Sequence, residues 1–271
     1  MTWLDSTPAF CGNVPIRCVT SASGDGRPMG MNARNDDTGW RGHGVTRLEA
    51  FVDAAFAFAV TLLVISVERI PDSIEGLLQA LKNVPAFAAS FAMVAMFWYA
   101  HVRWSRRYRL GTVPATLLSL LLVFLVLVYV YPLRLLLGTF FGWITGGWLP
   151  MPLSDANGPR PLAFMFVFYG LAFASMSACI GGLYVLAWRA RARLRLDGDA
   201  ASNAAGEVAS HAYFVMVGVL SVLAALLLGE RSQPWQVALP GCVYFLLSFT
   251  GLVHVRGQRW GAERWPVRAD G

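Results

Sequence analysis

The sequence predicts an all-α membrane protein that crosses the bilayer six times. Of its 271 residues, 56% are hydrophobic and only 14% are charged, and the mean hydropathy is +0.52. These values lie well outside the usage of soluble globular proteins. Six apolar segments each approach the roughly 20 residues that a helix needs to cross the hydrocarbon. The segments are 47–68, 84–104, 113–137, 162–188, 211–229 and 235–255.

Residues 1–45 precede the first apolar segment and are rich in Gly, Asp, Asn, Arg and Ser. They have neither helical nor strand periodicity, so we expect a disordered leader. They also lack the basic start and apolar core of a signal peptide. The predicted organisation is a leader over 1–45, a six-helix transmembrane domain over 46–257 and a tail over 258–271.

The first apolar segment contains a carboxylate, Asp53. An ionisable side chain inside a transmembrane helix costs roughly 3 kcal/mol and by default indicates a functional site. If helix 1 begins at Arg47, Asp53 lies about 9 Å along it, and Trp98 and His101 near the end of helix 2 lie at a similar depth. An indole N–H and an imidazole can both donate to a carboxylate. We therefore expect one polar cluster of Asp53, Trp98 and His101, which either acts in transport or only joins the two helices.

The connecting segments have features of their own. Residues 70–82 carry leucines at helical spacing and predict a short interfacial helix. Residues 138–161 are rich in Gly, Trp and Pro and predict a long loop with aromatic side chains at the membrane–water boundary. Arg134, near the end of the third segment, can extend its side chain to that boundary and is interpreted as an anchor.

Arginine placement predicts the orientation. Arginines lie at or just after the ends of the second, fourth and sixth segments: Arg103, Arg106, Arg107 and Arg109; Arg189, Arg191, Arg193 and Arg195; and Arg256, Arg259, Arg264 and Arg268. The positive-inside rule then places both termini in the cytoplasm of a multi-pass cell-membrane protein. Topology and anionic lipid explain the net charge of +6, so the lipid bilayer is a predicted partner and nucleic acid is not. His211 and His254 lie at predicted cytoplasmic helix ends and are expected to be solvated.

Other classes of function lack their signatures. The four cysteines have no CxxC or metal-ligand spacing, so neither a metal site nor a disulfide framework is predicted. No HExxH, GxSxG or pair of carboxylates at matching depth occurs, and we expect neither an enzyme nor a cofactor. An ion-coupled transporter usually carries ionisable residues at mid-membrane in several helices, yet segments two to six have no Asp or Glu at their centres. A channel is favoured; the alternatives are a transporter and a non-conducting membrane scaffold.

Two short motifs resemble one known family. Arg47-Leu-Glu-Ala-Phe51-Val52-Asp53 resembles the RxxxFSD signature of helix 1 in the TMEM175 potassium channels (the bacterial DUF1211 branch), and Trp98-Tyr-Ala-His101 resembles the family's WxxH element on helix 2. The resemblance covers all six helices in layout and is specific in the first two. It implies a homotetramer in which helix 1 lines a central pore, with potassium as the permeant ion and no TVGYG filter.

The same resemblance places the pore constriction at Phe58, Leu62 and Ile65, with the Thr61 hydroxyl beside them. Their i, i+4, i+7 spacing independently places the three apolar residues on one helix face, although such a stripe alone more often means packing. Hydrophobic rings near a hydroxyl can gate a pore and give weak cation selectivity. Val52 replaces the serine of the motif and Phe58 a common isoleucine, so conduction different from that of relatives is predicted.

Overall fold

The computed structural model describes residues 46–65, 72–152, 159–194, 196, 198–229 and 234–264. All of them belong to one of the two units into which the chain divides, Gly44–Gly271. The predicted leader over 1–45 lies outside the described residues, as does the end of the predicted tail over 265–271.

The described residues form helices and no strand. One helix is short, α2 (Ile74–Leu81), and five are long: α1 (Arg47–Ile65), α3 (Val84–Tyr108), α4 (Val113–Ile144), α5 (Pro159–Arg189) and α6 (Gly198–Leu226). The chain continues through α7 (Pro234–Cys242), a 3-10 helix (Val243–Phe249) and α8 (Thr250–Arg264). Within the described part of the chain, six stretches are long and apolar enough to cross a membrane, the last being Ala238–Arg264. The predicted all-α, six-span membrane class is confirmed.

Local chemistry explains where several helices begin and end. Pro85 and Pro114 lie in the first turns of α3 and α4, where a missing N–H removes no intrahelical hydrogen bond. The Ser73 hydroxyl caps α2 by accepting from the Gly76 N–H at 3.1 Å. Arg109 ends α3 in the left-handed conformation, with φ of 44°. The short helix predicted within 70–82 therefore forms as α2.

Three helices extend beyond the predicted apolar segments by about two turns or more. α4 continues to Ile144, so residues 138–144, which we expected in a loop, are helical. α6 begins at Gly198, well before the predicted start at 211, because an alanine-rich stretch favours helix although it is not apolar enough to predict a span. α8 runs to Arg264, past the predicted end of the domain at 257.

Phe173 of α5 lies at the centre of the core, where four helical elements meet. Its ring centroid is 6.1 Å from that of Phe97 on α3, 5.7 Å from Phe214 on α6 and 5.7 Å from Tyr244 on the 3-10 helix. Aromatic pairs at these distances attract through their edges and faces as well as through burial. α1 packs on the side of this core formed by α3 and α4.

Glycines bring the backbone of α6 against its neighbours. A Cβ added to Gly218 would lie 2.9 Å from the Gly170 carbonyl oxygen on α5. On the other side of α6, a Cβ added to Gly257 of α8 would lie 2.6 Å from the Ala209 Cβ. Small residues permit such close approach of membrane helices, and the resulting backbone contact holds α5, α6 and α8 together.

Candidate functional site

One face of α1 is buried against the rest of the chain. Val52, Phe56, Ala59 and Leu63 have at most 3% of their surface exposed and belong to the main apolar cluster. Their spacing of four, three and four residues follows a single helix face. Val52 is therefore a core residue, and the hydroxyl that it lacks relative to the family motif would also lie on this buried side.

The opposite face of α1 is exposed along its whole length. Phe58 is 56% exposed, Ile65 is 68% exposed, and Thr61 is exposed beside them. Leu62, the third predicted constriction residue, is half-buried at the edge of this face and packs partly on the core. The Thr61 hydroxyl donates to the Ala57 carbonyl at 3.0 Å, so its proton is satisfied within α1.

The carboxylate of α1 is bound by α3. Trp98 Nε1 donates to Asp53 Oδ1 at 2.8 Å, the short distance typical of a charge-assisted hydrogen bond. Trp98 is 37% exposed and Asp53 is exposed, so this contact lies at the edge of the α1–α3 interface rather than within the core. Arg47 and Phe51, the other motif residues on α1, are also exposed.

His101 makes its hydrogen bond in a different direction from the one we expected. It is 1% exposed, and its Nε2 lies 3.0 Å from the Ser119 hydroxyl on α4. Because that hydroxyl donates its own proton to the Ala115 carbonyl at 2.9 Å, we infer that Nε2 of His101 carries the proton and donates. Two hydrogen-bonded pairs thus join α3 to α1 and α3 to α4.

Glu49 makes polar contacts, with Thr46 and Ser105, that the sequence did not lead us to expect. The Thr46 N–H donates to Glu49 Oε2 at 2.7 Å and the Glu49 N–H donates to the Thr46 hydroxyl at 3.2 Å, which forms a capping box. The free oxygen of the same carboxylate accepts from the Ser105 hydroxyl on α3 at 2.6 Å. The spacing Thr46-x-x-Glu49 before an apolar run is the signal that predicts this cap.

An ion pair that we did not predict from the sequence joins α3 to α6. Arg103 forms a hydrogen-bonded ion pair with Glu207, whose side chain is only 10% exposed. Sequence reading placed Glu207 before the fifth span, but α6 already includes it. His211, one turn further on, is 6% exposed and its Nδ1 lies 2.9 Å from the Glu207 carbonyl. The expectation of a solvated His211 was therefore wrong, because the neighbouring helices cover this stretch of α6.

His254 is likewise engaged within the bundle, with its Nδ1 3.2 Å from the Ser210 hydroxyl on α6. The end of α1 is held by α4, where Arg134 Nη1 donates to the Leu63 carbonyl at 3.5 Å. That carbonyl is one of the last four of α1, which have no partner within the helix. Arg134, interpreted from sequence as an anchor, thus contacts the helix that carries Phe58 and Ile65.

Metal ligands are not grouped in the described part of the chain: no cluster of three or more His, Cys, Asp or Glu side chains occurs there. Cys179 is buried and Cys242 is exposed, and both are free thiols. The side chains of Asp53, His101, Glu49 and Glu207 instead bind partners on neighbouring helices.

A family model, a relative and a solved structure all relate this chain to potassium channels. Residues 47–132 match the family model described as endosomal/lysosomal potassium channel TMEM175. A protein of Marivirga tractuosa described as a potassium channel is 30% identical over 221 residues, which are 78% of this chain and 87% of the relative.

A solved structure is also similar: the crystal structure of a variant of the potassium channel MtTMEM175 in complex with a nanobody-MBP fusion protein. It superposes with a TM-score of 0.68 at 28% identity, and the match covers 82% of this chain and 96% of that one. The agreement in sequence and fold extends over most of the six-helix bundle, and the chain belongs to the TMEM175 family of potassium channels.

Proposed function

We propose that this protein is a potassium-permeable channel in which α1 helices from four copies of the chain line a central pore. Phe58, Leu62 and Ile65 form successive apolar rings in that pore, and Thr61 supplies the hydroxyl beside them. The relatives described as potassium channels support the activity. The four-fold assembly and the absence of a TVGYG filter follow from the family resemblance.

The observation that carries the proposal is the asymmetry of α1. One face is anchored by large buried side chains, while the other exposes Phe58 and Ile65 to more than half of their surface. A transmembrane helix with one face exposed in the isolated chain can present that face to lipid, to another copy or to a pore. Thr61 places a hydroxyl on this exposed face, and in a pore its oxygen can contact a partly dehydrated cation.

The apolar rings would control conduction by excluding water from the pore. A narrow apolar ring is easily emptied of water, and an ion cannot cross it without losing its hydration shell. Phe58 is the largest of the three side chains and would form the narrowest ring. Val52, in contrast, is buried on the core side of α1, so of the two departures from the family motif only Phe58 would act on the pore.

The orientation completes the proposal. α3 ends in Arg106 and Arg107, and α5 ends in Arg189, with further arginines in the turns that follow. We place this end of the bundle in the cytoplasm of a cell-membrane protein by the positive-inside rule, with the chain termini on the same side.

Reconstitution tests the function directly. Purified protein in liposomes should conduct K⁺, and comparison of K⁺ with Na⁺ flux gives its selectivity. Phe58→Ala should raise K⁺ flux because a shorter side chain widens and wets the ring, and Phe58→Trp should abolish it.

Phe56→Ala is the matched control, since it removes the same ring from the buried face of the same helix. It should lower thermal stability without raising flux. Unchanged flux in Phe58→Ala while the assembly stays intact, or labelling that places position 58 in lipid, would contradict the pore and leave the non-conducting scaffold.

A further inference from the structure

An apolar groove of about 290 Å³ lies between α4, α5 and the first part of the sixth span. α4 contributes residues between Leu136 and Ile144 to its wall, and α5 contributes residues between Leu162 and Phe166. The sixth span contributes residues between Ala238 and Phe245, from α7 and the start of the 3-10 helix. We call this space the α4–α7 groove.

The backbone of the sixth span is irregular beside the groove. Pro240 has no N–H to donate within α7, and the chain changes to a 3-10 helix at Val243. Side chains of α6 bind the carbonyl groups of this stretch: the Ser221 hydroxyl donates to the Pro240 carbonyl at 2.9 Å, and the Tyr213 hydroxyl donates to the Leu246 carbonyl at 2.8 Å. These bonds hold the sixth span against α6, and the groove lies on the side of α7 that faces α4.

The groove begins at the membrane boundary and extends toward the middle of the membrane. α4 starts beside the arginine-rich end of α3 and ends at Ile144, so its last turns lie at the opposite end of the bundle. α5 and the sixth span both start at that end, with Leu162 and Ala238 near the mouth of the groove. Leu136 and Phe245 line the deeper part. From Leu136 to Ile144 the groove follows about 12 Å of helix, so its long axis is parallel to the spans.

The lining of the groove matches hydrocarbon. Apolar and aromatic side chains form nearly all of its wall. Among the described residues that line it, only Thr139 has a hydroxyl, which donates to the Leu135 carbonyl of its own helix at 2.9 Å. The Cys242 thiol is only a weak hydrogen-bonding group. Water and ions are therefore poor occupants, because the wall offers them almost no polar partner.

The size of the groove favours a single hydrocarbon chain over a protein helix. An α-helix with its side chains is about 10–12 Å in diameter, so a helix of a second copy would need several times the volume of the groove over the same length. An acyl chain is unbranched and narrow, and in a bilayer it extends inward from the boundary, as the groove does. If the groove stayed empty, its wall would lose dispersion contacts that a chain restores.

Trp143 provides a polar contact at the mouth of the groove. It lies one residue before the end of α4, lines the groove and is 54% exposed. Its indole N–H makes no hydrogen bond to the described part of the chain. Tryptophan at a membrane boundary places its ring among the acyl chains and its N–H toward the head groups. The indole can therefore donate to an ester oxygen of a lipid whose chain lies in the groove.

We propose that the α4–α7 groove holds one acyl chain of a membrane phospholipid and that the Trp143 indole N–H binds an ester oxygen of the same lipid. No described residue of α1 lines the groove, so the site does not depend on the proposed pore.

Photocrosslinking in liposomes tests the proposal. The purified full chain is reconstituted in phosphatidylglycerol and phosphatidylcholine, with a trace of phosphatidylcholine that carries a diazirine within one acyl chain. Peptide mass spectrometry then locates the adducts. Phe166, half-buried in the wall of the groove, should be labelled. Leu223 on α6 is the reference for bulk lipid, because it is 53% exposed and does not line the groove.

Two variants fill the groove from the sixth span. A Cβ added to Gly241 would lie 3.4 Å from Phe166 Cε1, an ordinary contact, so the larger side chain of Gly241→Leu lies against the groove wall. Ala238→Phe fills the mouth instead and serves if Gly241→Leu does not fold. Either variant should remove the labelling of Phe166 and leave that of Leu223 unchanged. Gly251→Leu is the matched control, because a Cβ there meets nothing within 4 Å, and it should leave both signals unchanged.

The contact with the indole has its own test. Trp143→Phe retains an aromatic ring but removes the N–H, and it should lower the labelling of Phe166. Labelling of Phe166 that is absent in the native chain, or that persists in both filling variants, would overturn the proposal. A thiol crosslinker that joins Cys242 of two copies while Phe166 stays unlabelled would assign the groove to a contact between copies and overturn the lipid.

Discussion

Helices α1 and α6 are both apolar and each contains an internal carboxylate, yet their neighbours hold them in different ways. α1 is packed on one face only, by large side chains such as Phe56 and Leu63, and its Asp53 is exposed. α6 is packed on two sides through glycine and alanine, against α5 and α8, and its Glu207 is buried. Thus α1 keeps one face exposed, whereas α6 is packed into the interior of the bundle.

The difference teaches how to interpret a carboxylate in a membrane helix. Glu207 is buried with Arg103 as its ion-pair partner, and it ties α3 to α6. Asp53 is satisfied by Trp98 at the rim of the bundle, where the exposed face of α1 begins. A carboxylate of the first kind supports the fold, whereas one of the second kind positions a helix whose other face is available for assembly. Three sets of substitutions test this difference between α1 and α6.

The largest effect should come from the ion pair of the scaffold half. Arg103→Ala leaves the carboxylate of Glu207, 10% exposed, without its cation; because the Arg103 side chain is 45% exposed, we expect a cost of about 3 kcal/mol, the lower end for buried pairs. The thermal unfolding midpoint in detergent should therefore fall strongly. The double variant Arg103→Met with Glu207→Met should recover most of the loss. If the double variant is less stable than Arg103→Ala, the pair is not the reason for the loss.

The second effect concerns backbone contact between α5 and α6. Gly218→Ala places a Cβ 2.9 Å from the Gly170 carbonyl oxygen, so the helices must separate. Overpacking of this kind costs about 1–3 kcal/mol and should lower the unfolding midpoint. Gly251→Ala on α8 is the matched control, because a Cβ there meets nothing within 4 Å. It should leave the midpoint unchanged or raise it, and equal losses in both variants would show that close packing is not responsible.

The smallest effect should come from the polar contact that positions α1. Trp98→Phe and Asp53→Ala each remove the same hydrogen bond, which we expect to contribute about 1 kcal/mol because the site is exposed. The double variant should be little worse than either single one. Assembly should weaken while the ratio of K⁺ to Na⁺ flux in liposomes stays constant. Additive losses, or a changed flux ratio, would assign Asp53 a role beyond holding α1.

Periodicity and local chemistry predicted much of this molecule. The six spans follow from hydropathy, and α2 follows from leucines at helical spacing. The contact between Asp53 and Trp98 could be predicted because the rise of a helix converts residue number into depth. The same reasoning failed for the partner of His101, because depth does not determine which neighbouring helix a side chain faces.

The boundaries of α6 show a second limit. Hydropathy measures transfer into lipid, and the stretch of α6 that holds Glu207 is too polar for that criterion. In the fold this stretch lies against α3 and α8, so protein rather than lipid surrounds it. Neither the buried state of His211 nor the pairing of Glu207 could be predicted while the helix was taken to begin after them.

The sequence by itself determined the membrane class, the six spans, the short helix within 70–82 and the family motifs around Asp53 and Trp98, because each depends on residues close together in the chain. Only the tertiary structure decided that Val52 is buried while Phe58 is exposed, and that Trp143 shares a groove with Phe166. The rotation of each helix about its own axis is set by the side chains of its neighbours. Those neighbours are brought together by packing across the whole bundle.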